Sequence, residues 1–217
     1  MRHLKKGILA FMLILSMAVL AGCGGGMSEE EAKEYVQATL DANYKGEVDA
    51  LVEHTDATKE EAEKMYQQNI DSGLQNMGLD ELGFTEEQVQ LFEQIAVDLM
   101  KQAKYSVGEV KESDDSFEVY VKAEPFTGFD NLVEDMEAKT MDKLSTVQQE
   151  TPELLEDDAK VQELVVQIVH ELMSESIANP TYGEPQDIPV KVVKNSDGAY
   201  EIVQEDLDAV DGALFPM

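Results

Sequence analysis

The whole chain contains one cysteine, Cys23, so no intramolecular disulfide can form and the core must hold without covalent staples. Basic residues are scarce as well: 16 Lys and Arg stand against 46 Asp and Glu, for a net charge of -30. Such a chain repels nucleic-acid phosphates and anionic headgroups, which argues against nucleic acid as a partner and favours cations or basic partners. The plainest consequence of the charge is solubility. Histidine is nearly absent, with only His54 and His170 beyond the first 22 positions. Neither belongs to an HExxH or comparable zinc spacing, and no serine lies in a GxSxG elbow. No apolar run reaches the ~20 residues of a spanning helix. Internal repeats and long low-complexity segments are lacking too.

What is present begins with Arg2, Lys5 and Lys6, followed by apolar residues from Ile8 to Leu20 broken only by Ser16. That is the anatomy of a secretory signal segment. It ends in Leu20-Ala21-Gly22-Cys23, which resembles the lipobox of bacterial lipoproteins. The resemblance implies that the Cys23 thiol receives a diacylglyceryl group and that the chain is cut just before it. The mature protein would then sit on the outer face of the plasma membrane, with the membrane as its first partner. An ordinary secretory peptide in which Cys23 is incidental is the alternative. Two acyl chains, at ~0.8 kcal/mol per buried CH₂, give stable anchoring, and an acylated sulfur is closed to metal ligation and nucleophilic attack.

The expected division is a signal peptide over 1–22, a lipidated cysteine with a Gly-rich tether over 23–27, and a single domain over 28–217. Cleavage removes three of the 16 basic residues and none of the acids, which moves the charge from -30 to -33. Gly24-Gly25-Gly26-Met27 is too short to hold the domain far from the bilayer.

Periodicity predicts helices first. Ser28 with Glu31 has the form of a capping box, followed by Ala32, Tyr35, Val36 and Leu40 on one face and by Gly46 as a stop. A short helix carries Val48, Leu51 and Val52. Thr58 with Glu61 opens another, with Ala62, Met65, Tyr66, Ile70, Leu74 and Met77 as its stripe and Gly78 as its end. Thr85 with Gln88 opens a fourth, carrying Val89, Phe92, Ile95, Ala96, Leu99 and Met100 inward.

The period then changes to alternation. Tyr105 and Val107 begin a strand in which a bulge at Gly108 would bring Val110 onto the same face. After a turn at Ser113 to Ser116, the return strand places Phe117, Val119, Val121 and Ala123 on one face. Asp130 is expected to cap a helix through Leu132, Val133, Met136, Leu144 and Val147. Thr151-Pro152 is expected to restart helix through Leu155, Leu164, Val165, Ile168, Val169, Leu172 and Met173, up to Asn179-Pro180. A second hairpin follows, with Ile188, Val190 and Val192, a turn at Asn195 to Gly198, and Tyr200 with Ile202. Residues after Gln204 are expected to form a short terminal turn. The order predicts an α+β fold: a four-stranded antiparallel sheet of two hairpins joined by a helical pair, with helices packed on one face.

Several of these segments together resemble a family of uncharacterised lipoproteins of Gram-positive bacteria. They are the lipobox, Tyr35 to Glu53 with its Tyr44-Lys45-Gly46 break, Thr58-Lys59-Glu60-Glu61-Ala62, and the hairpins Tyr105 to Pro125 and Val190 to Val203. The resemblance implies a cystatin-like or NTF2-like domain, helices lying against a curved sheet. It brings no catalytic residues and no activity.

Candidate chemistry is thin. His170 beside Ile168, Val169 and Leu172 fits a packed or rim histidine, and His54 at a helix end fits the C-terminal dipole. Asp206-Leu207-Asp208-Ala209-Val210-Asp211-Gly212 has acids spaced loosely like a calcium loop, with the third acid and the glycine one place late and the distant glutamate missing. Met65, Met77, Met100, Met136 and Met173 either line an adaptable groove or continue the core stripes. Tyr120, Phe126 and Phe129 are aromatics to examine for a contact surface. The function expected is a lipid-anchored, non-enzymatic binding or accessory module, with no metal and no cofactor, holding an unidentified small-molecule, peptide or protein ligand. A small hydrolase in the helix-sheet cleft and a cation-binding envelope protein are the alternatives.

Overall fold

The computed structural model describes residues 26–76, 84–113 and 116–216. The signal segment over 1–22, Cys23, the first tether glycines, Met77, Gly78, Asp114 and Asp115 lie outside the described residues.

Four strands form one antiparallel sheet in the order β1 (Lys104–Ser113), β2 (Ser116–Glu124), β3 (Gln186–Lys194) and β4 (Tyr200–Ile202). The bulge falls where expected: the β1–β2 register slips between Val107 and Val110, which returns Val110 to the face opposite Val119. Phe117, Val119, Val121 and Ala123 of β2, with Val190 and Val192 of β3, are buried on one face. Pro189 is tolerated inside β3 because β4 pairs only with Val192, Val193 and Lys194, so the proline segment is an edge on that side.

Helix α1 (Glu29–Lys45) lies along the apolar face of the sheet. Its capping box is formed as read, with the Ser28 hydroxyl accepting from Glu31 N and the Glu31 carboxylate accepting from Ser28 N at 2.8 Å. Gly46 ends the helix in the left-handed region at φ 71°, and a Cβ there would lie 2.9 Å from the Tyr66 ring, so no other residue fits without displacement. Tyr35, Val36, Leu40 and Tyr44 are fully buried, each contributing about 1.5–3 kcal/mol of apolar burial. Beyond α1, helices α2 (Asp49–His54), α3 (Lys59–Asn76), α4 (Glu86–Gln90) and α5 (Glu93–Met100) build outward from the sheet. The helical pair is α6 (Leu132–Glu150) against α7 (Asp158–Ala178), clasped by Lys139 to Glu171 at 3.1 Å and to Glu175 at 3.8 Å.

Four local expectations are corrected. Residues after Gln204 form a helix, α8 (Gln204–Leu214), rather than a turn, because Leu207, Val210 and Leu214 make a helical stripe that packs on β2 and β3. Asn131, not Asp130, precedes α6, and it makes no side-chain cap; Asp130 N instead donates to Thr127 O in the preceding turn. Thr151-Pro152 opens only a 3-10 turn, Pro152–Glu156, and α7 starts afresh where the Asp157 carboxylate accepts from Ala159 N and Lys160 N. The capping box at Thr85 and Gln88 is present, but the helix it opens breaks at Leu91-Phe92 before α5 resumes.

Candidate functional site

The residues singled out by sequence do not converge. Cys23 lies outside the described residues. His54 closes α2, and His170 packs its ring edge-on against Phe92 at 5.7 Å. The acids of α8 point apart: Asp206 accepts from Lys191 N at 2.9 Å, Asp208 from Gln204 Nε2, and Asp211 from Tyr44. A helix spreads them around its circumference, which is incompatible with a calcium loop. Met100 and Met173 are core residues, while Met65 and Met136 pack at its margin. Phe126 is buried and meets Phe129 edge-to-face at 5.2 Å, so it closes the core instead of offering a contact surface. Tyr120 alone is on the open face of the sheet, with its hydroxyl donating to Glu118 and accepting from Lys111 Nζ at 3.0 Å. The Lys111 ammonium also sits 4.3 Å over the Tyr120 ring, and that hydrogen bond holds its pKa above the usual value.

Two polar clusters form where α1 ends. Asp41 accepts from Lys45 Nζ at 2.5 Å, Tyr105 OH at 2.7 Å and Gln37 Nε2 at 2.8 Å. Burial works against its charge, yet those bonds together outweigh burial and hold the carboxyl below its ordinary range. Next to it, Tyr44 is fully enclosed, with Tyr105 at 5.6 Å and Phe215 at 6.1 Å, and its hydroxyl donates to Asp211. Burial first, then the neighbouring Asp211, pushes the Tyr44 pKa well up, so the phenol stays protonated. A buried acid beside a hydroxyl is present here, but with Tyr44 at 0% and Asp211 at 6% exposure no substrate reaches it.

Solvent does reach a groove of about 520 Å³ where the C-terminal turns of α5 and α7 come together. Ile95, Ile177 and Ala178 supply its apolar lining, and Asp98, Lys101, Gln102 and Ser174 supply the polar groups. The volume is in the range of small-ligand sites, although the groove is open and half of its lining side chains are polar or charged. Behind its lining residue Gln102, the Tyr182 hydroxyl donates to the Gln102 carbonyl at 3.0 Å, while Lys104 Nζ lies 4.9 Å over the Tyr182 ring and pairs with Glu124 at 2.6 Å. Sequence reading missed this groove because its parts come from residues some eighty positions apart. The only local signal was the Asn179-Pro180 stop that ends α7 there.

No protein-family model matches this chain, and no curated protein matches it. Among solved structures, the fold is similar to that of a candidate lipoprotein, ycdA, of Bacillus subtilis subsp. subtilis strain 168, with a TM-score of 0.59 and 16% sequence identity. The superposition covers 86% of this chain and 56% of that one, so this chain spans a little more than half the length of that structure. At that identity, what the two share is the fold.

Proposed function

We propose that this chain is a lipid-anchored extracytoplasmic binding or accessory module on the outer face of the plasma membrane, holding a small-molecule, peptide or protein partner without chemical turnover. The observation that carries this reading is Leu20-Ala21-Gly22-Cys23 at the end of a signal segment, joined by a few residues to the capped start of α1. The structural likeness to a candidate lipoprotein of a Gram-positive bacterium supports it. So does the groove between α5 and α7, which has the volume of a small-ligand site, whereas the buried pair of Tyr44 and Asp211 is closed to a substrate. The cystatin-like or NTF2-like affiliation belongs to the same proposal and rests on the sequence resemblance alone.

The anchor is tested on protein taken from its native membrane. Mass spectrometry should find an acylated Cys23 at the mature N-terminus, and Cys23→Ala should release the protein from the membrane fraction. An unmodified thiol would defeat the reading. The groove is tested by comparing what co-purifies from envelope extracts with the native chain and with Ala178→Trp, which fills the groove from an exposed position. A species retained by the first and lost from the second is the expected ligand; identical recoveries would count against the groove.

A further inference from the structure

Strand order and register give the sheet two distinguishable poles. β1 and β3 run toward one of them and β2 and β4 run away, so the connections after Ser113 and after Lys194 share a pole, and Glu124, Gln186 and Lys104 mark the other. The strand β2 from Ser116 to Glu124 sets their separation at about 25–30 Å, from a rise of ~3.3 Å per residue. The groove lies at the second pole, because Gln102 stands two residues before the start of β1 and Pro180 two residues before Tyr182 of the Phe126–Tyr182 bridge.

The N-terminal end of the described chain is pinned at the first pole. Met27 packs against the core, and a Cβ built on Gly26 would lie 3.7 Å from the hydroxyl of Tyr200, the first residue of β4. Three peptide steps separate Gly26 from Cys23, which reach ~10 Å at full stretch. That is well short of the distance to the groove.

We propose that the hairpin pole, around Tyr200 and the Asn195 to Gly198 turn, is the face this domain turns to the lipid bilayer, and that the groove opens away from it to receive a partner from the aqueous side. This rests on the lipid-anchor reading of Cys23. The pole is itself acidic: Glu29, Glu30, Glu112 and Asp197 are exposed there beside Lys194, and the β1–β2 connection adds Asp114 and Asp115 by sequence. The short reach of the tether, not charge, therefore favours the upright posture, although laying the helical layer on the surface would bring still more of the 46 acids against anionic headgroups. Among the described residues, the open face of the sheet is closer to neutral, with Lys104 opposite Glu124, Lys122 opposite Asp187, and Lys111 and Lys191 flanking Glu118. Resting on that face is therefore the competing posture.

Acylation of Cys23 consumes the only thiol, so an introduced cysteine becomes the one labelling site. Native acylated protein carrying Ser196→Cys or Glu184→Cys, both exposed, would be labelled with a donor dye and reconstituted into phosphatidylglycerol-containing vesicles bearing a headgroup acceptor. Energy transfer at position 196 should exceed that at 184 roughly two-fold or more, since about 25–30 Å separates the poles. Equal transfer would mean the domain lies on the sheet face or tumbles, and greater transfer at 184 would mean it is inverted; either overturns the orientation. The mass of the same preparation reports separately on Cys23, and an unacylated chain would overturn both the orientation and the anchor beneath it.

Discussion

Tyr44 donates to Asp211 Oδ1 at 3.3 Å across 167 positions of sequence, tying α1 to α8 inside the core. Truncation to Tyr44→Phe removes a donor from a buried carboxylate and should destabilise by ~1–3 kcal/mol. Asp211→Asn keeps an acceptor and should cost less. Urea unfolding of the singles and the double should give a coupling of about 0.5 kcal/mol or more. Strict additivity would mean the bond contributes nothing.

Asn69 Nδ2 donates to Asn43 Oδ1 at 2.9 Å between α3 and α1, while Asn43 Nδ2 and Asn69 Oδ1 have no partner. The pair is therefore half satisfied in a place closed to water. Asn69→Leu alone should destabilise by ~1–3 kcal/mol, because it strands Asn43, whereas the Asn43→Leu, Asn69→Leu double should be near neutral or stabilising. Chemical denaturation of the three variants decides; a double variant worse than the two singles combined would show that the amides specify how α3 docks.

Stability should fall at both ends of the pH scale, for different groups. The folded-state pKa of Asp41 is lowered, so its contribution is full at neutral pH and is lost as pH drops below about 4 toward that lowered value. The deficit of Asp41→Asn relative to wild type should be constant from about pH 5 to 8 and shrink below about pH 4. Tyr35, Tyr44 and Tyr105 are all raised, with burial the leading cause in each. A raised group stabilises fully below its unfolded value and loses that contribution as pH climbs, so unfolding should set in above about pH 10. Tyrosinate absorbance should rise together with loss of secondary structure; ionisation of all seven tyrosines in a still-folded protein would contradict this.

One substitution should have opposite signs at two glycines. A Cβ on Gly128 would lie 2.4 Å from Phe126 Cζ, and that ring is boxed in by Phe129, Tyr182 and Phe215. Gly128→Ala should therefore destabilise by about 1–3 kcal/mol through overpacking. At Gly212, within α8, nothing lies within 4 Å, so Gly212→Ala should stabilise by about 0.4–1 kcal/mol. Thermal melts of the two variants provide the comparison.

The architecture was largely legible because its signals are local. Alternation from Phe117 to Ala123 announced a half-buried strand, the Gly108 break announced a bulge, and the Ser28/Glu31, Thr58/Glu61 and Thr85/Gln88 pairs announced helix starts that the structure contains. Failures came where two local rules competed. The acids of 206–211 suggested a turn or a calcium loop, but the apolar spacing of Leu207, Val210 and Leu214 prevailed once β2 and β3 offered a surface to bury it. At Thr151-Pro152, a proline compatible with a helix start gave only one 3-10 turn, because the Asp157 side chain caps better than Thr151 does.

By itself the sequence determined the element types, their order, the acidic charge and the Leu20-Ala21-Gly22-Cys23 motif behind the proposed anchor, since periodicity, capping pairs, composition and a contiguous motif are all written within a few neighbouring positions. Tertiary structure decided which distant side chains meet. The enclosure of Asp211 by Tyr44, the groove between α5 and α7, and the seat of Gly26 against Tyr200 each join residues many positions apart. No local rule encodes those contacts, because they exist only after the apolar faces of helices and sheet have been buried against one another.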